Sequence, residues 1–183
     1  MKYIQPRGFT LFFATLVAAL ALAIGLAIYD LTSRELKLSA LDAQSQYAIY
    51  AADTGVDCAL YWDSKYAASG IAPSDTDGSA FAAPGDTNFT GIAQGGQGVV
   101  CNGQDLFADN ALLTYTWTQP QVTATQATST FEITVGDSVA SPCTLVTIYK
   151  QATPQKTTIV SHGYNTCNAG APNRLERTLQ VDY

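Results

Sequence analysis

The sequence predicts an α+β protein in which one long N-terminal helix packs against a C-terminal antiparallel β-sheet. Three observations lead to this fold class. An uncharged apolar run occupies residues 9–29, apolar residues at helical spacing continue to about residue 68, and the apolar period falls to two from about residue 111. The chain shows no internal repeat, and its 183 residues suffice for one soluble domain beside such a helix.

The first element is a helix of 21 residues, Phe9–Tyr29, without a charged side chain. At about 1.5 Å per residue it spans some 32 Å, roughly enough to cross the hydrocarbon core of a membrane. Lys2 and Arg7 precede the helix, so the positive-inside rule keeps its N-terminal end in the cytoplasm. We therefore expect a single-pass protein of the cytoplasmic membrane, surrounded there by lipid, with everything from Asp30 onward outside.

The start of this helix resembles the class III signal of type IV prepilins. Arg7, Gly8 and Phe9 place a basic residue and a glycine directly before the apolar run, and no small-x-small cleavage site follows it. The resemblance implies a leader of residues 1–8, cleavage by a prepilin peptidase between Gly8 and Phe9, and N-methylation of Phe9. It also implies that residues 9–29 enter the core of a filament. A plain N-terminal membrane anchor is the other interpretation of the same run.

The helix is predicted to continue outside the membrane, over residues 30–68. This stretch has no proline, and its one glycine is Gly55. Apolar residues recur in it at spacings typical of one helix face, namely Leu31, Leu38, Leu41, Ala48, Ala52, Val56 and Ala59. Gly70 and Pro73 then end the pattern. A helix from residue 9 to residue 68 would measure about 90 Å, with its second half under a soluble domain or serving as a stalk.

A narrower resemblance lies in the second half of this helix. Residues Tyr50–Val56 are similar to the Ala-Ala-Glu-x-Gly-Leu stretch of PilX-type minor pilins, and Arg34–Leu36 is similar to the polar stretch after their membrane span. The resemblance covers about the first third of the chain. It implies assembly with other pilin subunits and with the inner-membrane pilus assembly machinery. Asp53 is interpreted as a solvated or capping carboxylate and Gly55 as a packing position.

Phe13 departs from the family pattern. Most pilins carry a glutamate at the fifth residue of the mature chain, where it pairs with the N-terminal amine of a neighbouring subunit, and that position is Phe13 here. A phenyl ring does not offset a buried ammonium, and an unpaired buried charge is costly. Glutamate-free subunits occur among minor pilins and tip pseudopilins, so the resemblance implies a low-copy, tip-associated subunit. A major shaft pilin with other contacts to the amine is the alternative.

Four cysteines are predicted to form disulfides outside the cytoplasm. Cys58, Cys101, Cys143 and Cys167 include no CxxC pair and have no histidine beside them. Three connectivities are possible, and we favour Cys58–Cys101 with Cys143–Cys167 because each bond then joins neighbours along the chain. In the chain-entropy account the first bond stabilises the fold by about 4 kcal/mol.

Residues 69–110 are rich in Gly, Ser, Asp and Pro and are predicted to form a variable loop region. The acidic turn Asp75–Gly78 does not fit an EF-hand, because Pro73 and Pro84 stand where that loop needs carboxylates. Nearby glycines lack the lysine and hydroxyl residue of a phosphate loop. We expect no metal and no cofactor, and a loose calcium site on loop carbonyls is left open.

Residues 111–183 alternate between apolar and polar side chains, which is typical of half-buried strands. The alternating groups are Leu113–Trp117, Phe131–Val135, Leu145–Tyr149, Thr157–Ser161 and Leu175–Tyr183. Turn residues separate these groups, and short connections make neighbouring strands antiparallel. The sequence therefore predicts a sheet of about four or five strands.

Charge and motif content exclude some function classes. Without residues 1–8 the chain has seven basic and fifteen acidic residues, a formal net charge of −8, which argues against nucleic-acid binding. His162 is the one histidine, and no hydrolase, zinc-peptidase or dinucleotide motif occurs, so we expect no catalytic residue.

Two function classes follow from these observations. The first is a structural minor subunit of a type IV pilus or a related type II secretion-like filament, which passes from the membrane to the cell surface. The second is a single-pass, membrane-anchored binding or enzymatic domain at the cell surface. For that second class Trp62, Trp117 and the tyrosines would supply contact area.

Overall fold

The computed structural model describes residues 7–65, 79–86, 99–106 and 117–183, with side chains from residue 9 onward except at 65 and 117–120. The described residues form one helix and seven strands: α1 (Arg7–Lys65), β1 (Val100–Cys101), β2 (Gln104–Asp105), β3 (Trp117–Val122), β4 (Gln126–Thr134), β5 (Cys143–Ala152), β6 (Gln155–Tyr164) and β7 (Glu176–Asp182). The long N-terminal helix and the antiparallel sheet confirm the predicted α+β fold.

Several predicted features lie outside the described residues. These are the first six residues of the leader, the helix end at Ala68, most of the loop region 69–110, and the strand positions Leu113 and Tyr115. The helix begins at Arg7, slightly before the predicted start at Phe9.

The main sheet is a five-stranded antiparallel meander in the order β3-β4-β5-β6-β7. Its register runs from Thr134↔Cys143 between β4 and β5 to Ala152↔Gln155 at the tip of the β5–β6 hairpin. A separate ribbon pairs β1 with β2 through a turn at Asn102 and Gly103, which both have positive φ. The predicted strand number therefore holds for the main sheet, whereas the ribbon was not foreseen.

Alternation along the central strands places one face of the sheet in the core. Phe131, Val146, Ile148 and Ile159 are almost fully buried, while the residues between them are partly exposed. Phe131 also stacks on Phe81 with ring centroids 5.7 Å apart. The core therefore lies on one side of the sheet.

The chain divides into two compact units, the first ending at Ala43 and the second beginning at Gln44. In the second unit the buried face of α1 consists mainly of small residues: Ala48, Ala51, Ala52, Gly55, Val56, Ala59 and Trp62. Small side chains allow the helix backbone to approach the sheet closely. A Cβ at Gly163 on β6 would collide with the carbonyl oxygen of Ala48 and the amide nitrogen of Ala52.

Two buried hydroxyl groups fix the helix on the sheet. Ser161 donates a hydrogen bond from Oγ to the carbonyl oxygen of Ala52 over 2.7 Å, and its Oγ lies 2.7 Å from Oγ1 of Thr144. Each hydroxyl therefore has a partner despite its burial, so the contact avoids the cost of an unsatisfied polar group.

The first unit consists of α1 as far as Ala43. Leu31, Leu38 and Leu41 are exposed there, although they continue the apolar pattern of the buried helix face. The predicted stripe is buried from Ala48 onward, within the second unit, where α1 packs against the sheet.

Candidate functional site

The N-terminal apolar segment, Phe9–Tyr29, is helical throughout and exposes its side chains. Phe9 is 71% exposed and Phe13 is 59% exposed. The hydroxyl of Thr15 donates a hydrogen bond to the carbonyl oxygen of Phe12, so this polar group has a partner within the helix. Burial of each large apolar side chain is favourable by about 1.5–3 kcal/mol of free energy, so the segment is more stable in an apolar environment than in water.

By length and composition α1 is able to cross a membrane, and it is the one such helix within the described ranges. The first acidic residue after the apolar segment, Asp30, pairs with Arg34 at 2.9 Å one helical turn later. The charged part of the helix therefore begins directly where the apolar segment ends.

The predicted processing and assembly positions lie at the start of α1. Gly8 and Phe9 are helical, and Phe13 follows Phe9 by four residues, which places both phenylalanines on the same helix face. This face presents two aromatic rings and no hydrogen-bond acceptor side chain. The sequence has no carboxylate between Phe9 and Tyr29.

Cys58 of α1 and Cys101 of β1 form a disulfide, with their Cα atoms 5.9 Å apart. Beside it, Trp62 donates a hydrogen bond from Nε1 to the carbonyl oxygen of Val100 over 3.2 Å. The ribbon is therefore fastened to α1 by one covalent bond and one hydrogen bond. This is the first of the two favoured cysteine pairs.

The second favoured bond, between Cys143 and Cys167, is not formed in the structure, where both residues are free thiols. They are neighbours because Cys143 begins β5 opposite Tyr164 and Cys167 follows β6 shortly afterwards. A hydrogen bond between the thiols lowers the pKa of Cys167, and the same contact together with burial raises the pKa of Cys143. Chain order thus indicated the proximity, but proximity alone does not fix the oxidation state.

His162 lies on the outer face of the sheet. Its Nδ1 is 2.7 Å from Oε1 of Glu176 and 3.1 Å from the hydroxyl oxygen of Thr178. The adjacent Ser161 points to the opposite face and donates to α1, so this serine and this histidine do not meet. Within the described ranges, no three His, Cys, Asp or Glu side chains gather as metal ligands.

A polar cluster, here named the Asp63 cluster, joins the side chains of Asp63, Ser79, Lys150 and Tyr183. Nζ of Lys150 lies 2.8 Å from Oδ1 of Asp63, and each side chain is 9% exposed. Ser79 donates its hydroxyl to Oδ1 of Asp63, and Tyr183 donates its hydroxyl to Oδ2. The carboxylate therefore receives three donors from three separate parts of the chain.

The spacing of residues along the sequence does not predict the Asp63 cluster, although one signal for it is present. Lys150 occupies the inward phase of β5, two residues beyond the buried Ile148 and four beyond Val146. A lysine at an inward strand position requires a partner, because an unpaired buried charge is costly. The sequence does not identify this partner, because Asp63 lies far from Lys150 along the chain.

Burial and ion pairing shift the pKa of Asp63 in opposite directions. Burial raises the pKa of the Asp63 carboxyl, but the charge of Lys150 and hydrogen bonds from Lys150, Ser79 and Tyr183 outweigh it, so this pKa lies below its ordinary value. Burial and the hydrogen bond to Asp63 both raise the pKa of Tyr183. The cluster is thus held with Asp63 ionised and Tyr183 protonated.

No protein-family model, curated protein or solved structure matches this chain. The functional argument therefore depends on the sequence pattern and on the geometry described above.

Proposed function

We propose that this chain is a structural subunit of a type IV pilus or of a related type II secretion-like filament, present in low copy and associated with the tip. One observation carries the proposal. The exposed, uncharged segment Phe9–Tyr29 directly follows Arg7 and Gly8 and belongs to the same helix that carries a β-sheet domain. Cleavage after Gly8 by a prepilin peptidase would make Phe9 the new, methylated N-terminus.

The exposed segment suits a subunit that moves from lipid into a filament. Both environments are apolar, so transfer between them exchanges one set of apolar contacts for another and costs little desolvation. Neighbouring pilin subunits and the inner-membrane assembly machinery are the partners that such a transfer requires. The domain that contains the Cys58–Cys101 bond would remain outside the membrane, where disulfides persist.

Phe13 supports the tip-associated role. A subunit inserted along a shaft must accommodate the amine of a neighbour, and a buried ammonium without a carboxylate partner is strongly unfavourable. A subunit that starts the filament has no neighbour on one side. Such a subunit avoids most of this cost, which explains how a phenylalanine is tolerated at this position.

Mass spectrometry of the N-terminal peptide tests the assignment on chain isolated from its native envelope. We expect a peptide that begins with N-methylated Phe9. The matched variant Gly8→Leu should retain residues 1–8, because the peptidase would no longer accept the residue before the cut. A wild-type chain that keeps Met1 favours an anchored surface domain, and one that lacks residues 9–29 indicates an ordinary secretory signal; either result refutes the proposal.

A further inference from the structure

A cleft of about 650 Å³ opens in the second unit between the end of α1, the β5–β6 hairpin and the last residue of the described chain. We name it the hairpin cleft. Its lining includes Asp63, Lys150, Gln151, Gln155, Lys156 and Tyr183. Its volume is within the range of about 300–1,000 Å³ that is usual for small-molecule sites. Neither the predicted assembly positions nor the disulfide lies in this cleft.

The floor of the hairpin cleft is the Asp63 cluster. The carboxylate of Asp63 is already occupied by donors from Lys150, Ser79 and Tyr183. The ammonium of Lys150 carries three N–H donors. Among the described residues, its ion-pair partner is Asp63. A nine-tenths buried ammonium with further donors favours a ligand that brings oxygen acceptors.

The formal charges of the cleft balance. Lys150 is matched by Asp63, and Lys156 is matched by Asp182 at 3.3 Å. A phosphate group carries a charge of about −1.5 to −2 at neutral pH and would need cations without partners. A neutral ligand with many hydroxyl groups uses the same donors without adding charge, which fits the acidic chain better.

The walls of the cleft supply polar side chains that can bind ligand hydroxyl groups, and an aromatic ring that can contact the apolar face of a ligand ring. Gln155 supplies an amide that both donates and accepts, and Thr157 supplies a hydroxyl. Both share the sheet face of Lys150, because Thr157 pairs with Lys150 and Gln155 pairs with Ala152 across the hairpin. Tyr183 is 54% exposed, and its hydroxyl is held by Asp63, so part of its ring remains available at a fixed position.

We propose that the hairpin cleft binds a neutral saccharide unit. The sugar would lay a C–H face on Tyr183, exchange hydrogen bonds with Gln155 and Thr157, and accept a hydrogen bond from Lys150. This binding site is independent of the filament assignment, because an anchored surface domain would contain it equally.

The test uses the full chain in a detergent without a sugar headgroup. The neutral probes are glucose, galactose, mannose, N-acetylglucosamine and their β-linked disaccharides. Glucuronate and glucose 6-phosphate are the charged probes for comparison. Ligand-observed saturation-transfer NMR detects binding, and titration gives the dissociation constant. We expect at least one neutral sugar to bind more tightly than both charged probes.

Two variants locate the site, and each has a matched control. Gln155→Leu and Thr157→Val should each weaken binding about three- to tenfold, the effect of losing one hydrogen-bonding side chain. Gln121→Leu on β3 and Thr178→Val on the outer face of β7 should leave the dissociation constant unchanged, and melting curves check that all four variants fold.

Three outcomes would overturn the proposal: no neutral sugar binds, one of the two charged probes binds best, or Gln155→Leu binds the sugar as well as Gln121→Leu does. The last outcome would place the sugar at another site. None of these outcomes bears on the N-terminal processing of the chain, so the two proposals fail separately.

Discussion

Gly163 sets the distance between α1 and the sheet. Its Cα faces the backbone of Ala48 and Ala52 so closely that no side chain fits between them. The hydrogen bond from Ser161 to the carbonyl oxygen of Ala52 depends on the same close approach. One glycine on β6 therefore permits both the packing and the polar contact of the helix.

Gly163→Ala should lower the free energy of unfolding by about 1–3 kcal/mol, because the added methyl overpacks a site bounded by rigid helix backbone. Gly170→Ala is the control, since a Cβ there has Asn168 Oδ1 as its nearest neighbour at 3.5 Å. Chemical denaturation of the full chain in detergent measures both variants. Equal stability of the two would show that the helix shifts to accommodate the methyl group.

Asp63 and Lys150 form a buried ion pair, so the burial of each charge is tolerated only while the other is present. Asp63→Asn should destabilise the protein by about 3–5 kcal/mol, because it leaves the ammonium of Lys150 buried without a carboxylate. Asp182→Asn is the matched control, since Asp182 and its partner Lys156 are both largely exposed. A loss as large in the control as in Asp63→Asn would contradict this account.

The same cluster predicts a pH dependence of stability. The pKa of Asp63 in the folded chain lies below its ordinary value of 3.8, so its stabilisation is complete above that pH and is lost as the pH falls through the folded pKa. The pKa of Tyr183 is raised above 10.0, so its contribution is lost as the pH rises beyond that value. Melting temperatures across pH should fall on both sides, and Asp63→Asn should flatten the acid side.

At the scale of elements, the disulfide between α1 and β1 controls the two-stranded ribbon. Replacing both Cys58 and Cys101 by serine should lower the free energy of unfolding by about 2–4 kcal/mol, because the bond closes a loop with a sequence separation of 43. Denaturation with and without reductant checks this for the wild type. Cys167→Ser, which removes a free thiol, is the control and should change stability much less.

Counting thiols by alkylation in denaturant, before reduction, completes that experiment. Cys58 and Cys101 should escape labelling because they form a disulfide, and labelling of Cys143 and Cys167 reports whether the second favoured bond is absent from the isolated protein. A count of four would remove the disulfide argument altogether. A count of zero would restore the second bond that the sequence favoured.

The elements differ in how much the sequence revealed of them. Helix α1 and strands β4–β7 were predictable because each repeats its apolar period several times. The ribbon of β1 and β2 was not, since strands of two residues have no period and follow a glycine-rich stretch. The Asp63 cluster joins α1 to β5 through tertiary packing, which spacing along the chain does not encode.

For the molecule as a whole, the proposed filament role makes the residue at position 13 decide between a tip and a shaft position. Phe13→Glu restores an acceptor for a neighbour's amine and should raise the share of this chain in sheared filaments relative to the wild type. Phe12→Glu is the control, because it adds the same charge one residue away on another helix face. Quantitative mass spectrometry of the filaments, with immunogold labelling of their ends, measures the effect. A wild-type chain that proves to be the main shaft subunit would contradict the role given to Phe13.

The two outer strands of the main sheet carry residues that oppose pairing with a further strand. β7 carries Glu176, Arg177 and Asp182, and β3 contains Pro120 at a shift of register between Thr118 and Gln121. Charged side chains and a proline both discourage another sheet from adding to an edge. If α1 spans a membrane, as its length and composition allow, such domains would be confined side by side, where exposed edges would join them into aggregates. In the proposed filament, these edges would favour contacts between subunits through the apolar helix rather than through strand pairing.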